Sequence, residues 1–143
     1  MNKEKGDITM KKSEILNQYQ AEIIDAMVHY HDVVVDSLGR VQYKLYIWSD
    51  GEIEAMEQAQ GETGSYLVPL DGETRELYYI TTITEGPGFD PWDVLYESKP
   101  DDPAEQEAKL EEILSWLKEH YRNDAELELE TLIYWTEQEE KYA

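Results

Sequence analysis

The sequence predicts an α+β fold: an antiparallel sheet of four or five strands, an N-terminal helix on one face, and one or two C-terminal helices packed beside it. Residues 41–56, VQYKLYIWSDGEIEAM, alternate apolar and polar around a Ser49-Asp50-Gly51 turn, which is the pattern of a half-buried β-hairpin. Before it, Ile15, Leu16, Tyr19, Ile23, Ala26, Met27 and Tyr30 recur at helical spacing, and after it Leu110, Ile113, Leu114 and Leu117 do the same. A length of 143 residues suits one domain with a single core.

Taken in order, residues 1–9, MNKEKGDIT, are polar and precede Met10. Lys5-Gly6-Asp7 can be encoded as AAAGGAGAT, a purine-rich ribosome-binding sequence a few codons upstream of the Met10 codon. The stretch therefore reads as translated leader or a disordered tail in a gene of bacterial or mobile-element origin, with residues 10–143 as the domain. Residues 13–29 read as the first helix, with Ser13 as its cap. Val33-Val34-Val35, enclosed by Asp32 and Asp36, is a β-branched run that fits a strand, and Ser37-Leu38-Gly39-Arg40 turns the chain into the hairpin. His29, His31 and Asp32 are residue types that bind zinc, but the chain holds only one other histidine, His120. A helix-to-strand junction scatters side-chain directions, so these three are expected in solvent.

The hairpin register follows from its faces. A two-residue Asp50-Gly51 loop would set Ile47 opposite Glu54, whereas a three-residue loop pairs Ile47 with Ile53 and Leu45 with Ala55 and leaves one clean apolar face. That register also puts Gly51 where a type I turn with a bulge needs a left-handed residue. Lys44, Tyr46, Trp48, Glu52 and Glu54 then share the opposite face, a mixture of aromatics and carboxylates suited to meeting a partner or lying under a second layer.

Residues 58–65, QAQGETGS, read as a polar connection; no Lys or Ser/Thr pair follows Gly61 or Gly64 at phosphate-loop spacing. Residues 66–70 and 75–84 flank Asp71-Gly72-Glu73-Thr74 as a second hairpin, in which Pro69 marks the first strand as an edge and RELYYITTIT is expected to sit centrally. Residues 85–93, EGPGFDPWD, form a proline- and glycine-directed loop anchored by Phe89 and Trp92, and Glu85, Asp90 and Asp93 lack the alternate spacing of a calcium loop. Asp101 and Asp102 cap a helix from Pro103 whose stripe of Leu110, Ile113, Leu114 and Leu117 is buried, with Trp116 beside it and Asn123-Asp124 at its end. In the tail, residues 126–130 alternate like a strand while Ala125, Leu129, Leu132, Ile133 and Thr136 fit a helical face; Glu and Leu favour the helix.

Charge is the outlier of the composition. With 33 acidic against 12 basic residues the formal net is -21, far beyond what solubility asks of a small domain. Disorder does not account for it, because 41% hydrophobic content with 11 Tyr and 4 Trp is too apolar and aromatic. There is no cysteine, no long apolar run and no signal-peptide core, so a cytoplasmic chain without thiolate chemistry is expected. Between Lys44 and Lys99 the single cation Arg75 stands against 12 acids, a net of -11. Such a field repels nucleic acid and anionic membranes and attracts basic surfaces.

In size, acidity and origin the chain resembles the small acidic DNA-mimic inhibitors of phage or mobile elements, of the anti-CRISPR or anti-restriction type; the resemblance is compositional and spans the whole chain, with no family motif. It implies a non-catalytic protein with no cofactor or metal, which binds the basic nucleic-acid-binding surface of a bacterial defence nuclease, a CRISPR effector such as Cas9 or a restriction enzyme. The expected contact residues are Tyr46, Trp48, Asp50, Glu52, Glu54, Glu57, Asp71, Glu73, Glu85, Asp90 and Asp93. Two other classes fit the same charge: an immunity protein that neutralises a basic toxin, and an acidic bacterial protein of unrelated role. An enzyme using paired carboxylates is disfavoured, since no nucleophile, metal cage or cofactor loop accompanies them.

Overall fold

A computed structural model describes residues 10–60, 62, 75–86, 89–96 and 98–143. The elements are α1 (Lys12–Gln18), α2 (Gln20–Asp36), β1 (Val41–Trp48), β2 (Ile53–Ala59), β3 (Leu77–Ile83), α3 (Trp92–Leu95) and α4 (Pro103–Tyr142). The architecture is α+β, with helices packed on an antiparallel sheet whose strands among the described residues number three, in the order β2-β1-β3, where four or five were expected. The expected strand at 66–70 lies outside the described residues. Among those described, the hairpin strand β1 is central, and β3, expected at the centre, flanks it.

The hairpin has the predicted register: Ile47 pairs with Ile53 and Leu45 with Ala55. Gly51 adopts φ +97 and donates its N–H to the Trp48 carbonyl, closing the three-residue loop. It is glycine for a second reason, because a Cβ there would sit 2.3 Å from Tyr19 Cζ. Tyr19 is the residue between α1 and α2, and its hydroxyl donates to the Asp50 carbonyl at 3.2 Å. The helical layer is thereby pinned to the turn. On the other side of β1 the register shifts between Leu45 and Tyr46, a bulge that places Ile80 as an extra, buried residue on β3.

Three helical expectations are corrected. Val33, Val34 and Val35 are not a strand but the last turns of α2, because Ile23, Met27, His31, Val34 and Val35 continue one buried stripe at helical spacing. Packing along that stripe outweighs a β propensity worth at most about 1 kcal/mol. Ser13 does not cap α1; Lys11 occupies that position, and Ser13 is buried with its N–H and Oγ both donating to the Glu140 carboxylate. The beginning of the helical layer is thus tied to the end of α4. Finally, α4 does not stop at Asn123-Asp124: it runs 40 residues, about 60 Å, from the Asp102 cap.

The reason for that continuity is the buried row Ile113, Ala125, Leu129, Ile133 and Thr136. Residues 126–130 alternate in sequence, yet Leu129 is buried and Leu127 is 61% exposed, as a helix requires of neighbours two apart. Leu129 and Ile133 join Ile15, Leu16, Ile23, Met27, Leu45 and Ile47 in one core, each such side chain contributing roughly 1.5–3 kcal/mol. Lys118 with Asp36 at 2.6 Å and Arg122 with Asp25 at 2.9 Å also join α4 to α2, but as exposed pairs they add only about 0–1 kcal/mol each. Phe89 lies against Gly39 as the expected anchor of its loop: a Cβ on Gly39 would stand 3.1 Å from Phe89 Cβ. No helix among the described residues is long and apolar enough to cross a membrane.

Candidate functional site

The hairpin face singled out from sequence is arranged differently from the expectation. Trp48 is not an exposed anchor but only 2% exposed. The guanidinium of Arg75 lies 4.1 Å from its ring centroid, and its Nε1 donates to Glu54 Oε1 at 3.4 Å. Arg75 also pairs with Asp50 at 3.2 Å and with Glu52. One cation, two residues before β3, therefore covers the indole and gathers the turn carboxylates, so Trp48, Asp50, Glu52 and Glu54 form a single cluster with part of its charge already met. Tyr46 is half-buried and meets Tyr79 edge-on at 5.7 Å, with desolvation by burial raising its hydroxyl pKa.

The remaining expected residues do not join this cluster. Glu57 stands beside Tyr43 and accepts its hydroxyl at 2.5 Å; burial first, then Glu57, push the Tyr43 pKa up to about 12. Glu85 follows the Ile83 end of β3, which the register places next to Tyr43, at the opposite end of the sheet from the Asp50 turn. Asp90 accepts the Trp92 N–H at 3.0 Å and serves the turn into α3, while Asp93 is exposed in the first turn of that helix. Asp71 and Glu73 lie outside the described residues. The described members of the set are thus dispersed over the Asp50 turn, the Tyr43 end of the sheet and the turn into α3.

The structure also forms a cleft of about 340 Å³ that the sequence reading missed, between the end of β3 and the middle of α4. Thr82, Thr84, Glu85, Trp116, Tyr121 and Glu128 are among its walls, with His31 at its base. His31, expected in solvent, is 4% exposed; its Nε2 donates to Glu85 at 3.0 Å, and its ring stacks on Tyr121 at 3.7 Å with planes 3° apart. Its Nδ1 has no hydrogen-bond partner among the described residues, and neither does the buried Asp32 Oδ1. Burial, reinforced by Glu128, Asp124 and Glu85, pushes the Tyr121 hydroxyl pKa far above its usual value. Thr81 donates its hydroxyl to Glu128, which carries the contact from sheet to helix. The signal for this site was present in the chain: once α2 is extended through Val35, His31 falls one turn after Met27 on the buried stripe.

Acidic groups also organise along α4 in a way the hairpin reading did not anticipate. Glu112, Glu119, Glu126, Glu130 and Glu137 are all exposed, and their separations of seven, seven, four and seven residues keep them on one side of the helix. The row extends about 38 Å. No set of three or more His, Cys, Asp or Glu among the described residues is disposed to hold a metal ion, His29, His31 and Asp32 included. Comparison of the chain with protein-family models, with curated proteins and with solved structures gives no match in any of the three.

Proposed function

We propose that this chain is a non-catalytic acidic inhibitor, acting in the cytoplasm of a bacterial host, that occupies the basic nucleic-acid-binding surface of a defence nuclease of the CRISPR-effector or restriction type. The observation that carries the reading is the exposed carboxylate row of α4, held on a 40-residue helix, in a chain whose formal net charge is -21. A duplex presents about one negative charge per 1.7 Å of axis, and its protein partners answer with Arg and Lys. Five carboxylates in about 38 Å are sparser than that, so the row needs the hairpin and β3-end acids to extend it. The helix orders the backbone that carries the row, so only side-chain rotamer freedom is left to lose when Arg side chains engage the carboxylates bidentately. Asp50 and Glu52, partly neutralised by Arg75, contribute less than their exposure suggests.

The test is binding of the purified chain to guide-loaded Cas9 and to restriction enzymes at low and high salt, with duplex DNA as competitor. The expected result is binding that DNA displaces and that weakens steeply with salt. A complex that DNA cannot displace overturns mimicry, and no complex with any such nuclease at low salt overturns the inhibitor reading.

A further inference from the structure

A second surface on α4 is apolar instead of acidic. Leu127, Tyr134, Trp135 and Tyr142 are 61%, 53%, 60% and 76% exposed, although each is large and hydrophobic. Their separations of seven, eight and fifteen residues from Leu127 place them along one ridge on the side of the helix away from Ala125, Leu129 and Thr136. The ridge is about 23 Å long and offers roughly 500 Å² of apolar surface, the size at which patches on soluble proteins mark interaction sites. Tyr134 and Trp135 meet edge to face at 5.1 Å and 82°.

Charge decides what covers it. Asp124 and Glu130 lie one turn from Leu127, Glu130 and Glu137 one turn from Tyr134, and Glu139 one turn from Trp135. Residues 124–142 carry seven acids and one cation, Lys141. A second copy of the chain would bring the same carboxylates face to face, in a molecule whose formal net is already -21. We infer that the α4 ridge docks a basic amphipathic helix of a partner protein, whose apolar stripe packs on Leu127, Tyr134, Trp135 and Tyr142 while its flanking Lys and Arg meet the carboxylates on either side. A straight ridge at helical spacing fits another helix along its whole length. The inference goes beyond the mimicry reading, which needs carboxylates alone and no apolar contact.

The probe is a synthetic peptide of about 18 residues, Lys and Leu placed at helical period, titrated into the full chain beside a scrambled peptide of equal composition. The periodic peptide is expected to bind about tenfold or more tighter than the scramble, with Trp135→Ala and Leu127→Ala each removing most of that difference. Circular dichroism and melting temperature should be unchanged, since both side chains are exposed, and Trp135→Phe should restore binding in part. Equal binding of the two peptides, or no effect of Trp135→Ala on their difference, overturns the inference. A dimer in sedimentation that Trp135→Ala dissociates overturns it too, by showing that a second copy covers the ridge. Neither result bears on displacement of the chain by DNA, so this inference and the mimicry reading fail separately.

Discussion

Replacing Arg75 by alanine removes the only Lys or Arg in the sequence between Lys44 and Lys99, and the structure says what that cation holds together. Its guanidinium covers Trp48 at 4.1 Å, an interaction worth about 0.5–2 kcal/mol depending on desolvation. Its pairs with Asp50 and Glu52 add little, about 0.2–1 kcal/mol each, because those carboxylates are more than half exposed. Uncovering one indole face of roughly 50–80 Å² costs a further 1–2 kcal/mol, partly the same contact counted again. Together these give a loss of about 2–4 kcal/mol for Arg75→Ala, read by urea unfolding with tryptophan fluorescence and circular dichroism. Arg75→Lys keeps the charge but not the flat guanidinium, and should recover only part of the loss. A variant within about 0.5 kcal/mol of the parent refutes this account of how Trp48 is buried. The mimicry reading adds an opposite sign: Arg75→Ala releases two carboxylates, so partner binding should hold or strengthen while stability falls.

Two further predictions concern the fold. Gly51→Ala should destabilise by about 2–4 kcal/mol, from the left-handed backbone and from displacement of Tyr19, with Tyr19→Ala relieving the second part in a double-mutant cycle; additive losses would contradict the contact. Stability should fall as pH rises from 10 to 12. Tyr43 and Tyr78 have folded pKa values pushed up to about 12 by burial and by Glu57 and Glu76, so between those limits the unfolded chain has lost protons that the folded chain retains. The stabilisation is full below about pH 10 and is lost toward pH 12. Urea unfolding at stepped pH should show it, with Tyr43→Phe flattening the slope; a profile level through pH 11 would contradict it.

How far the chain could be read depended on the range of the interactions involved. The hairpin register was legible because it is local: a period-two pattern, a glycine at the one left-handed turn position, and Ile47 and Ile53 close in sequence. The long helix was half legible, since the Asp102-Pro103 start is a local signal, but nothing near Asn123 reveals that Ala125 and Leu129 dock on the same core as Ile23 and Met27. Val33, Val34 and Val35 misled because intrinsic preference is weak beside a continuing buried stripe, and that one misreading also put His31 in solvent. Trp48 was misplaced for a non-local reason, because the residue that covers it is Arg75, 27 positions along the chain and just ahead of the strand that pairs with β1. The surplus of acid was plain from composition, whereas its alignment into a row on α4 needed the helix to be continuous.

Competition between the carboxylates of this chain and nucleic acid for a basic site is measured most directly as inhibition of a target nuclease while duplex DNA is added. Glu119→Lys with Glu126→Lys interrupts the α4 row at two exposed positions and should leave the melting temperature within a few degrees of the parent. DNA is expected to relieve inhibition by the parent chain, the double variant to inhibit about tenfold or more weakly, and both effects to shrink as salt rises. Inhibition that persists undiminished in excess DNA, or survives the double reversal, would contradict it.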